Sequence, residues 1–192
     1  MTTFNPLHHQ NPQEDCDALR MLADEQRERM LGRKLGQPIA VELGAWAGQS
    51  TLILAQAGFR VFAIDHWSGA AGDPLEGVAR QYGAEELFAT FCRNMGDRLL
   101  TGVFPMAAST NLAAAIWPKH VQIDLLFIDA DHSYDAVRGD IDNWTPFVRP
   151  VDGLIVGHDF GFSQFPGVEQ AVRETGPFEQ AGRFLWYRRK AA

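Results

Sequence analysis

The sequence predicts a doubly wound α/β domain, in which helices cover both faces of a mostly parallel sheet. Five short apolar segments support this fold class, because none has the polar alternation of a half-exposed strand. Helix-like segments separate them, and 192 residues correspond to about one domain. The predicted strands cover residues 39–43, 61–64, 103–107, 123–128 and 154–156.

The remaining elements follow in chain order. Residues 14–34 predict a leading amphipathic helix, with Leu19, Leu22, Met30 and Leu31 near helical spacing and an end at Gly32 or Gly36. We therefore divide the chain into an N-terminal segment with its helix, residues 1–36, and a single main domain, residues 37–192. Crossover helices are expected over residues 49–56, 84–94, 111–117, 134–147 and 168–174, and residues 178–181 and 183–188 predict an antiparallel edge hairpin.

One long irregular segment interrupts this pattern. Residues 66–83 contain five glycines or prolines and no clear periodicity. A loop of this length in a compact domain is typical of a lid or binding loop.

Composition excludes several classes of protein. Hydrophobic residues make up 46% and charged residues 21%, as in an ordinary globular domain. The net charge of -7 argues against general nucleic-acid binding, and the basic residues at 188–190 are interpreted as a solubilising tail. The two cysteines have no disulfide or metal spacing, and no apolar stretch is long enough for a signal or a membrane span. We therefore expect a cytoplasmic protein without membrane contact.

The turn after the first strand predicts close approach to a ligand. It reads V-E-L-G-A-W-A-G-Q-S-T, with Gly44 and Gly48 before a helix. The spacing matches neither a dinucleotide fingerprint nor a phosphate loop, and the acid Glu42 would repel phosphate but attract a cation. Asp65 ends the second strand, 21 residues after Gly44, where an acid commonly accepts both hydroxyls of a ribose.

An acidic pocket with a ribose acceptor suits S-adenosylmethionine, whose sulfonium and ammonium are positive. From residue 39 onward the chain resembles the class I S-adenosylmethionine-dependent methyltransferases, in V-E-L-G-A-W-A-G-Q-S-T followed by V-F-A-I-D-H-W. The resemblance implies that the methionine end lies near Glu42, Gly44 and Gly48, the ribose on Asp65, and the adenine beside Trp67 and Ser109. The full set of implied cofactor residues is Glu42, Gly44, Trp46, Gly48, Ser50, Asp65, Trp67, Ser109 and Asp129.

The fourth and fifth strands end in L-L-F-I-D-A-D-H-S-Y and L-I-V-G-H-D-F. These strands are neighbours in a doubly wound sheet, so their polar residues Asp129, Asp131, His132, His158 and Asp159 should lie close together. Two carboxylates and an imidazole can hold Mg²⁺ or another divalent cation, and such a cation lowers the pKa of a coordinated hydroxyl.

A second resemblance concerns the chemistry. F-I-D-A-D-H is similar to a motif of the catechol and caffeoyl-coenzyme-A O-methyltransferases, and its D-x-x-H matches macrolide-sugar O-methyltransferases. The resemblance implies Asp129, His158 and Asp159 as metal ligands and His132 as the catalytic base. His158 departs from the acid found there in the metal-dependent families, so it is either a ligand or a mark of a lost metal. It could also be a structural hydrogen-bonding residue, as Asp131 could be a helix cap.

These observations predict O-methylation of a hydroxyl on a small molecule, such as a sugar, a phenol or a natural product, with or without a metal. A metal-dependent hydrolase using the Asp/His cluster is one alternative, although it leaves the first two strand ends unexplained. A non-catalytic cofactor-binding module, whose leading helix recruits a partner, is another. A homodimer through the N-terminal helix or the C-terminal edge is also expected. Five aromatic residues are candidate walls of the acceptor pocket, with Trp144 favoured as core: Trp67, Trp144, Phe160, Phe162 and Phe165.

Overall fold

A seven-stranded sheet lies at the centre of the chain in this computed structural model, which describes residues 11–33, 36–70 and 76–191. The strand order is β3-β2-β1-β4-β5-β7-β6. Strands β1 to β5 are parallel, whereas β7 is antiparallel to β5 and to β6, so the predicted fold class and the antiparallel C-terminal hairpin are confirmed. The strands are β1 (Ile39–Leu43), β2 (Arg60–Asp65), β3 (Val103–Ala107), β4 (Leu125–Ile128), β5 (Leu154–Gly157), β6 (Glu179–Ala181) and β7 (Leu185–Arg189).

Eight α-helices precede, connect or follow these strands in the described part of the chain. The predicted crossover segments are helical to within two residues, the fourth one ending in a short 3-10 turn at Thr145–Phe147. The helices are α1 (Gln13–Gly32), α2 (Gln49–Gln56), α3 (Glu76–Tyr82), α4 (Ala84–Met95), α5 (Arg98–Thr101), α6 (Thr110–Ile116), α7 (Tyr134–Trp144) and α8 (Pro166–Glu174).

The central strands are apolar throughout because both of their faces are buried. In β4, Leu125 packs with the layer formed by α1, α2 and α4, while the next residue, Leu126, packs with α6, α7 and α8. Successive side chains of a strand point to opposite faces, so each helix layer receives every second residue. Both leucines are fully buried, which explains why the sequence shows no polar alternation there.

The leading helix is part of this core. Leu19, Leu22 and Ala23 of α1 are buried in the same cluster as the sheet. Gln26, also buried, donates from its side-chain amide to the backbone carbonyls of Asp124 and Asp152, at 2.8 Å each. Helix α1 thus covers the sheet of its own chain; the predicted boundary near residue 36 stays a prediction, and residues 1–10 lie outside the described residues.

The prediction of an irregular loop over residues 66–83 is wrong in its second half, because α3 forms there. Ala79 turns its side chain into the core, and Arg80 forms an ion pair with Glu76 one helical turn earlier. These contacts offset the poor helix propensity of Gly77. Residues 71–75 lie outside the described part, and within the described residues no helix is long and apolar enough to cross a membrane.

Candidate active site

A cavity of about 600 Å³ opens at the carboxyl ends of the parallel strands. Ligands of open α/β sheets bind at this edge, because the strand order reverses there and leaves a crevice. Here β1 lies between β2 and β4, so residues that follow three neighbouring strands meet in one cavity.

Gly44 allows the turn after β1 to pass directly beside the end of β4. Its backbone has a φ of +87°, and a Cβ atom at this position would lie 2.0 Å from the carbonyl oxygen of Asp129. Its amide donates to the carbonyl of Ile64 at 2.9 Å. Any larger residue would therefore separate β1 from β4 at the cavity floor.

Asp65 is held against the cavity wall by backbone amides. One carboxylate oxygen accepts from the amide of Trp46 at 2.8 Å, and the other accepts from the amide of Trp67 at 2.6 Å. A carboxylate oxygen can accept more than one hydrogen bond, so both oxygens keep capacity for a ligand's hydroxyls. This geometry fits the ribose-binding role predicted for Asp65.

Glu42 lies behind the cavity wall. Its side chain is fully buried and accepts short hydrogen bonds from the hydroxyls of Ser50 and Thr51. Burial raises the pKa of Glu42 to about 7, and the nearby charges of Asp129 and Asp65 act in the same direction. Ser50 itself lines the cavity, so Glu42 is connected to the cavity through this hydroxyl.

Six of the nine predicted cofactor residues line the cavity: Gly44, Trp46, Ser50, Asp65, Ser109 and Asp129. Glu42, Gly48 and Trp67 do not. A Cβ atom on Gly48 would lie 2.3 Å from the side chain of Met95, so this glycine faces the core.

The Trp67 ring is placed differently from the prediction. It is 1% exposed, packs against Phe88 and Phe91, and donates from its indole nitrogen to the carbonyl of Trp46 at 2.7 Å. A positive φ at Trp67 accompanies this inward orientation. The ring therefore belongs to the core and does not border the cavity.

Asp140 is a cavity residue that the sequence analysis missed. It lies on α7 and is 2% exposed, and burial raises its pKa to about 6 although a hydrogen bond with Thr110 opposes the shift. A signal was present, because Asp140 occurs among apolar residues at helical spacing, Val137, Ile141 and Trp144.

The acids and imidazoles that follow β4 and β5 form one cluster, as predicted. The Nε2 atom of His132 lies 2.9 Å from Oδ2 of Asp159 and 3.9 Å from Oδ1 of Asp129. The Nδ1 atom of His158 lies 3.2 Å from the same Asp159 oxygen and 3.7 Å from the same Asp129 oxygen. Asp131 instead accepts from the amide of Ser133 at 2.7 Å, which fits its structural interpretation beside the start of α7.

The charges of this cluster depend on one another. Burial raises the pKa of Asp159, but hydrogen bonds from His132 and His158 outweigh burial and hold it well below its usual range. Burial alone lowers the pKa of His158, but the charge of Asp129 and hydrogen bonds to Asp15 and Asp159 raise it to about 10.

Asp15 and Asn11 reach the cluster from the other end of the chain, and the sequence analysis did not identify them. Asp15 of α1 is 1% exposed, and its Oδ2 lies 3.1 Å from Nε2 of His158. Asn11 donates from its side-chain amide to Asp129 at 3.4 Å and lines the cavity. Nothing local in the sequence indicates these contacts, because they depend on where α1 packs.

The donor set of Asp129, His158 and Asp159 fits a divalent cation. One ligand atom from each residue lies within 4.8 Å of the other two. His158 directs Nδ1 toward the carboxylates and Nε2 toward Asp15, which is the arrangement of a metal-bound histidine whose second nitrogen donates to a carboxylate. A proton and a cation would compete for the Nδ1 lone pair.

Phenylalanines form the wall opposite the carboxylates. Phe162, Phe165 and Phe184 line the cavity, and the ring of His132 stacks on Phe165 with centroids 4.0 Å apart. Among the other predicted wall residues, Trp144 is buried core as expected, and Phe160 is also buried in the core.

Solved structures with this arrangement of strands and helices come from several kinds of methyltransferase. An O-methyltransferase from Bacillus cereus in complex with SAH has a TM-score of 0.65 and 16% identity, over 95% of this chain and 83% of that one. The calicheamicin methyltransferase CalS11 has a TM-score of 0.61 and 15% identity, over 88% and 77%. An rRNA methylase from Streptococcus thermophilus has a TM-score of 0.57 and 14% identity, over the full length of both chains.

These identities establish a common fold and not a common acceptor. The family is shown by a different comparison, in which residues 41–160 match the family model described as a methyltransferase domain. This match covers more than half of the chain and contains the turn after β1, Asp65 and the whole Asp/His cluster. The protein therefore belongs to the methyltransferase domain family, and it has the class I, Rossmann-like fold of the S-adenosylmethionine-dependent enzymes.

Proposed function

We propose that this protein transfers the methyl group of S-adenosylmethionine to a hydroxyl of a small molecule. One observation carries the proposal: a single cavity joins the amide-held carboxylate of Asp65 to the cluster around His132. The first end suits the ribose of the cofactor, and the second suits a hydroxyl that must lose a proton. A hydrolase would use only the second end.

The cofactor would lie along the ends of β1, β2 and β3. Asp65 would accept hydrogen bonds from the ribose hydroxyls, and Ser109 and Asp140 line the part of the cavity beyond it. The carboxylates of Asp65 and Asp129 favour a ligand with positive charge, as the sulfonium requires. Glu42 would act indirectly, by fixing the Ser50 hydroxyl.

His132 would be the catalytic base. As the acceptor oxygen attacks the methyl carbon, an oxygen–carbon bond forms and the carbon–sulfur bond breaks, and His132 takes the hydroxyl proton on the ring nitrogen that does not donate to Asp159. The negative charges of Asp159 and Asp129 stabilise the imidazolium that results. The protein mainly aligns oxygen, carbon and sulfur, so positioning supplies much of the rate enhancement.

A divalent cation would be held by Asp129, Asp159 and Nδ1 of His158. When bound, it would supply Lewis-acid stabilisation of the acceptor oxygen.

Calorimetric titration with S-adenosylmethionine and S-adenosylhomocysteine tests the cofactor site. We expect binding of both ligands, and an Asp65→Asn variant should weaken it about 10- to 100-fold, as expected for hydrogen bonds to a charged group. Asp97→Asn, at an exposed position, is the matched control and should bind like the wild type. Absence of binding to the wild type would refute the proposed function. Binding without turnover, over a broad panel of hydroxyl acceptors, would favour the non-catalytic alternative.

A further inference from the structure

We propose that the acceptor is a phenol, or a similarly flat apolar alcohol, that is neutral or positively charged, and that phosphorylated and carboxylated acceptors are excluded. This inference rests on the proposed function, because it concerns the acceptor end of the same cavity. It follows from the charges at that end, from the absence of arginine and lysine among the described lining residues, and from the aromatic wall.

The acceptor end has more acids than bases. Asp129, Asp131 and Asp159 line it, and the carboxylate of Asp15 contacts the His158 ring. The two imidazoles, His132 and His158, contribute at most two positive charges, so four carboxylates leave the group negative in every protonation state of the histidines. A carboxylate or phosphate on the acceptor would face this charge in a partly desolvated cavity, where repulsion is stronger than in water.

No arginine or lysine in the described part of the chain, residues 11–33, 36–70 and 76–191, lines the cavity to offset this charge. Outside these ranges the sequence contains one residue of either type, Lys34. The backbone amide of Arg183 donates to Asp15. Its guanidinium group, however, lies over the Phe184 ring, 4.9 Å from the ring centre, and the residue does not line the cavity.

The amides at the start of α7 do not provide a phosphate site either. Helix α7 begins beside the cavity, but the Ser133 hydroxyl already accepts from an amide of its first turn. Asp131 and Asp135 add negative charge at the same helix end. Acidic side chains at a helix N-terminus already interact with the positive end of the helix dipole, which weakens its attraction for a phosphate.

The aromatic wall indicates the shape of the acceptor. The rings of Phe162 and Phe165 are 5.3 Å apart, and those of Phe162 and Phe184 are 5.2 Å apart, so the three form a continuous apolar surface. His132 lies at its border, stacked on Phe165. A flat ring packed on this surface would present a hydroxyl to His132, and an ammonium group could pack over a phenylalanine face.

Three compounds with the same phenol ring test the inference: tyramine is a cation, tyrosol is neutral, and para-hydroxyphenylacetate is an anion. Each is titrated by calorimetry into the protein saturated with S-adenosylhomocysteine, so that binding is measured without turnover. We expect tyramine and tyrosol to bind at least about tenfold more tightly than para-hydroxyphenylacetate, a difference of about 1.4 kcal/mol.

A charge change at the cavity mouth provides the second test. Gln164 lines the cavity and is exposed, so Gln164→Arg adds a cation without disturbing the core. This variant should strengthen binding of para-hydroxyphenylacetate and weaken that of tyramine. Leu100→Arg, on α5 and 85% exposed, adds the same charge away from the cavity and should change neither affinity.

The inference is overturned if the anion binds as tightly as the other two compounds, or if none of the three binds at millimolar concentration while S-adenosylhomocysteine does. In both cases the proposed methyltransferase function stands. An unchanged order of affinities in Gln164→Arg also contradicts the electrostatic argument. If S-adenosylhomocysteine itself does not bind, the proposed function fails, and the acceptor inference fails with it.

Discussion

Oδ2 of Asp15 lies 3.1 Å from Nε2 of His158, although 143 residues separate the two in the chain. The other oxygen of the same carboxylate accepts from the amides of Arg183 and Phe184, at 2.5 and 3.1 Å. One buried side chain of α1 thus binds both a histidine of the proposed site and the turn between β6 and β7. Although burial raises the pKa of Asp15, these hydrogen bonds lower it overall and keep the group ionised.

Asp15→Asn should destabilise the fold and alter the site together. The amide keeps the size of the side chain but removes the charge facing His158, so the free energy of unfolding should fall by about 1–3 kcal/mol. Because a neutral partner favours the imidazolium less, the NMR titration midpoint of the His158 ring should move to lower pH. Asp17→Asn, on the exposed side of α1, is the control for both measurements. An unchanged His158 midpoint would show that Asp15 does not act through this histidine.

The raised pKa of Glu42 predicts that the free energy of unfolding depends on pH. Its pKa is about 7 in the folded protein against 4.5 as the ordinary value, so the folded state keeps a proton that the unfolded state loses between these values. The free energy of unfolding should therefore fall as the pH rises from about 4.5 to about 7, by up to about 3 kcal/mol from this group. In Glu42→Gln this contribution is absent, so chemical denaturation across this range should show a smaller decline than in the wild type. The exposed substitution Glu85→Gln should leave the decline as it is, and an equal decline in Glu42→Gln would contradict the assignment.

His132→Asn should lower kcat by about 10²- to 10⁴-fold, the range for loss of a general base, and should change affinity for S-adenosylmethionine little. The pH–rate profile of the variant should also lack the fall in rate at low pH that reports protonation of the base. His120→Asn, at an exposed position outside the cavity, is the matched control. Retention of more than half of the wild-type kcat would exclude His132 as the base.

Gly44→Ala and Gly36→Ala separate backbone strain from steric conflict. Both glycines have a φ near +87°, but a Cβ atom at Gly36 meets nothing within 4 Å, whereas one at Gly44 meets the Asp129 carbonyl. Gly36→Ala should cost about 1–2 kcal/mol of unfolding free energy through the left-handed backbone alone. Gly44→Ala should cost about 1–3 kcal/mol more and should also weaken cofactor binding, because the strand ends must separate. Equal costs in thermal denaturation would argue against the steric conflict.

Much of the sheet could be predicted because its physical causes are local. Strands buried on both faces must be apolar, and residues 39–43 and 103–107 coincide with β1 and β3. The cluster around Asp129 and Asp159 was also predictable, since parallel β4 and β5 place their carboxyl ends side by side. The predicted fourth strand began two residues early, because Ile123 pairs only with Val148 in an isolated bridge outside the sheet.

Other features depend on contacts between distant parts of the chain. The sequence near Trp67 does not indicate whether its ring faces the cavity or the core; Phe88 and Phe91 of α4 decide this by providing an apolar site for it. Asp15 resembles the other acids of α1, and only the packing of that helix brings it to His158. Helix α3 was missed because its stabilising burial of Ala79 is a tertiary contact.

The double contact of Asp15 also bears on when the site can form during synthesis. Arg183 and Phe184 follow Asp15 by 168 and 169 residues, yet their amides fix the carboxylate that faces His158. A ribosome-bound chain that lacks the β6–β7 turn has every cavity carboxylate and both imidazoles, but it lacks the amides that hold Asp15 in place. Assembly of the cluster therefore requires α1 and the β6–β7 turn to dock on the same sheet.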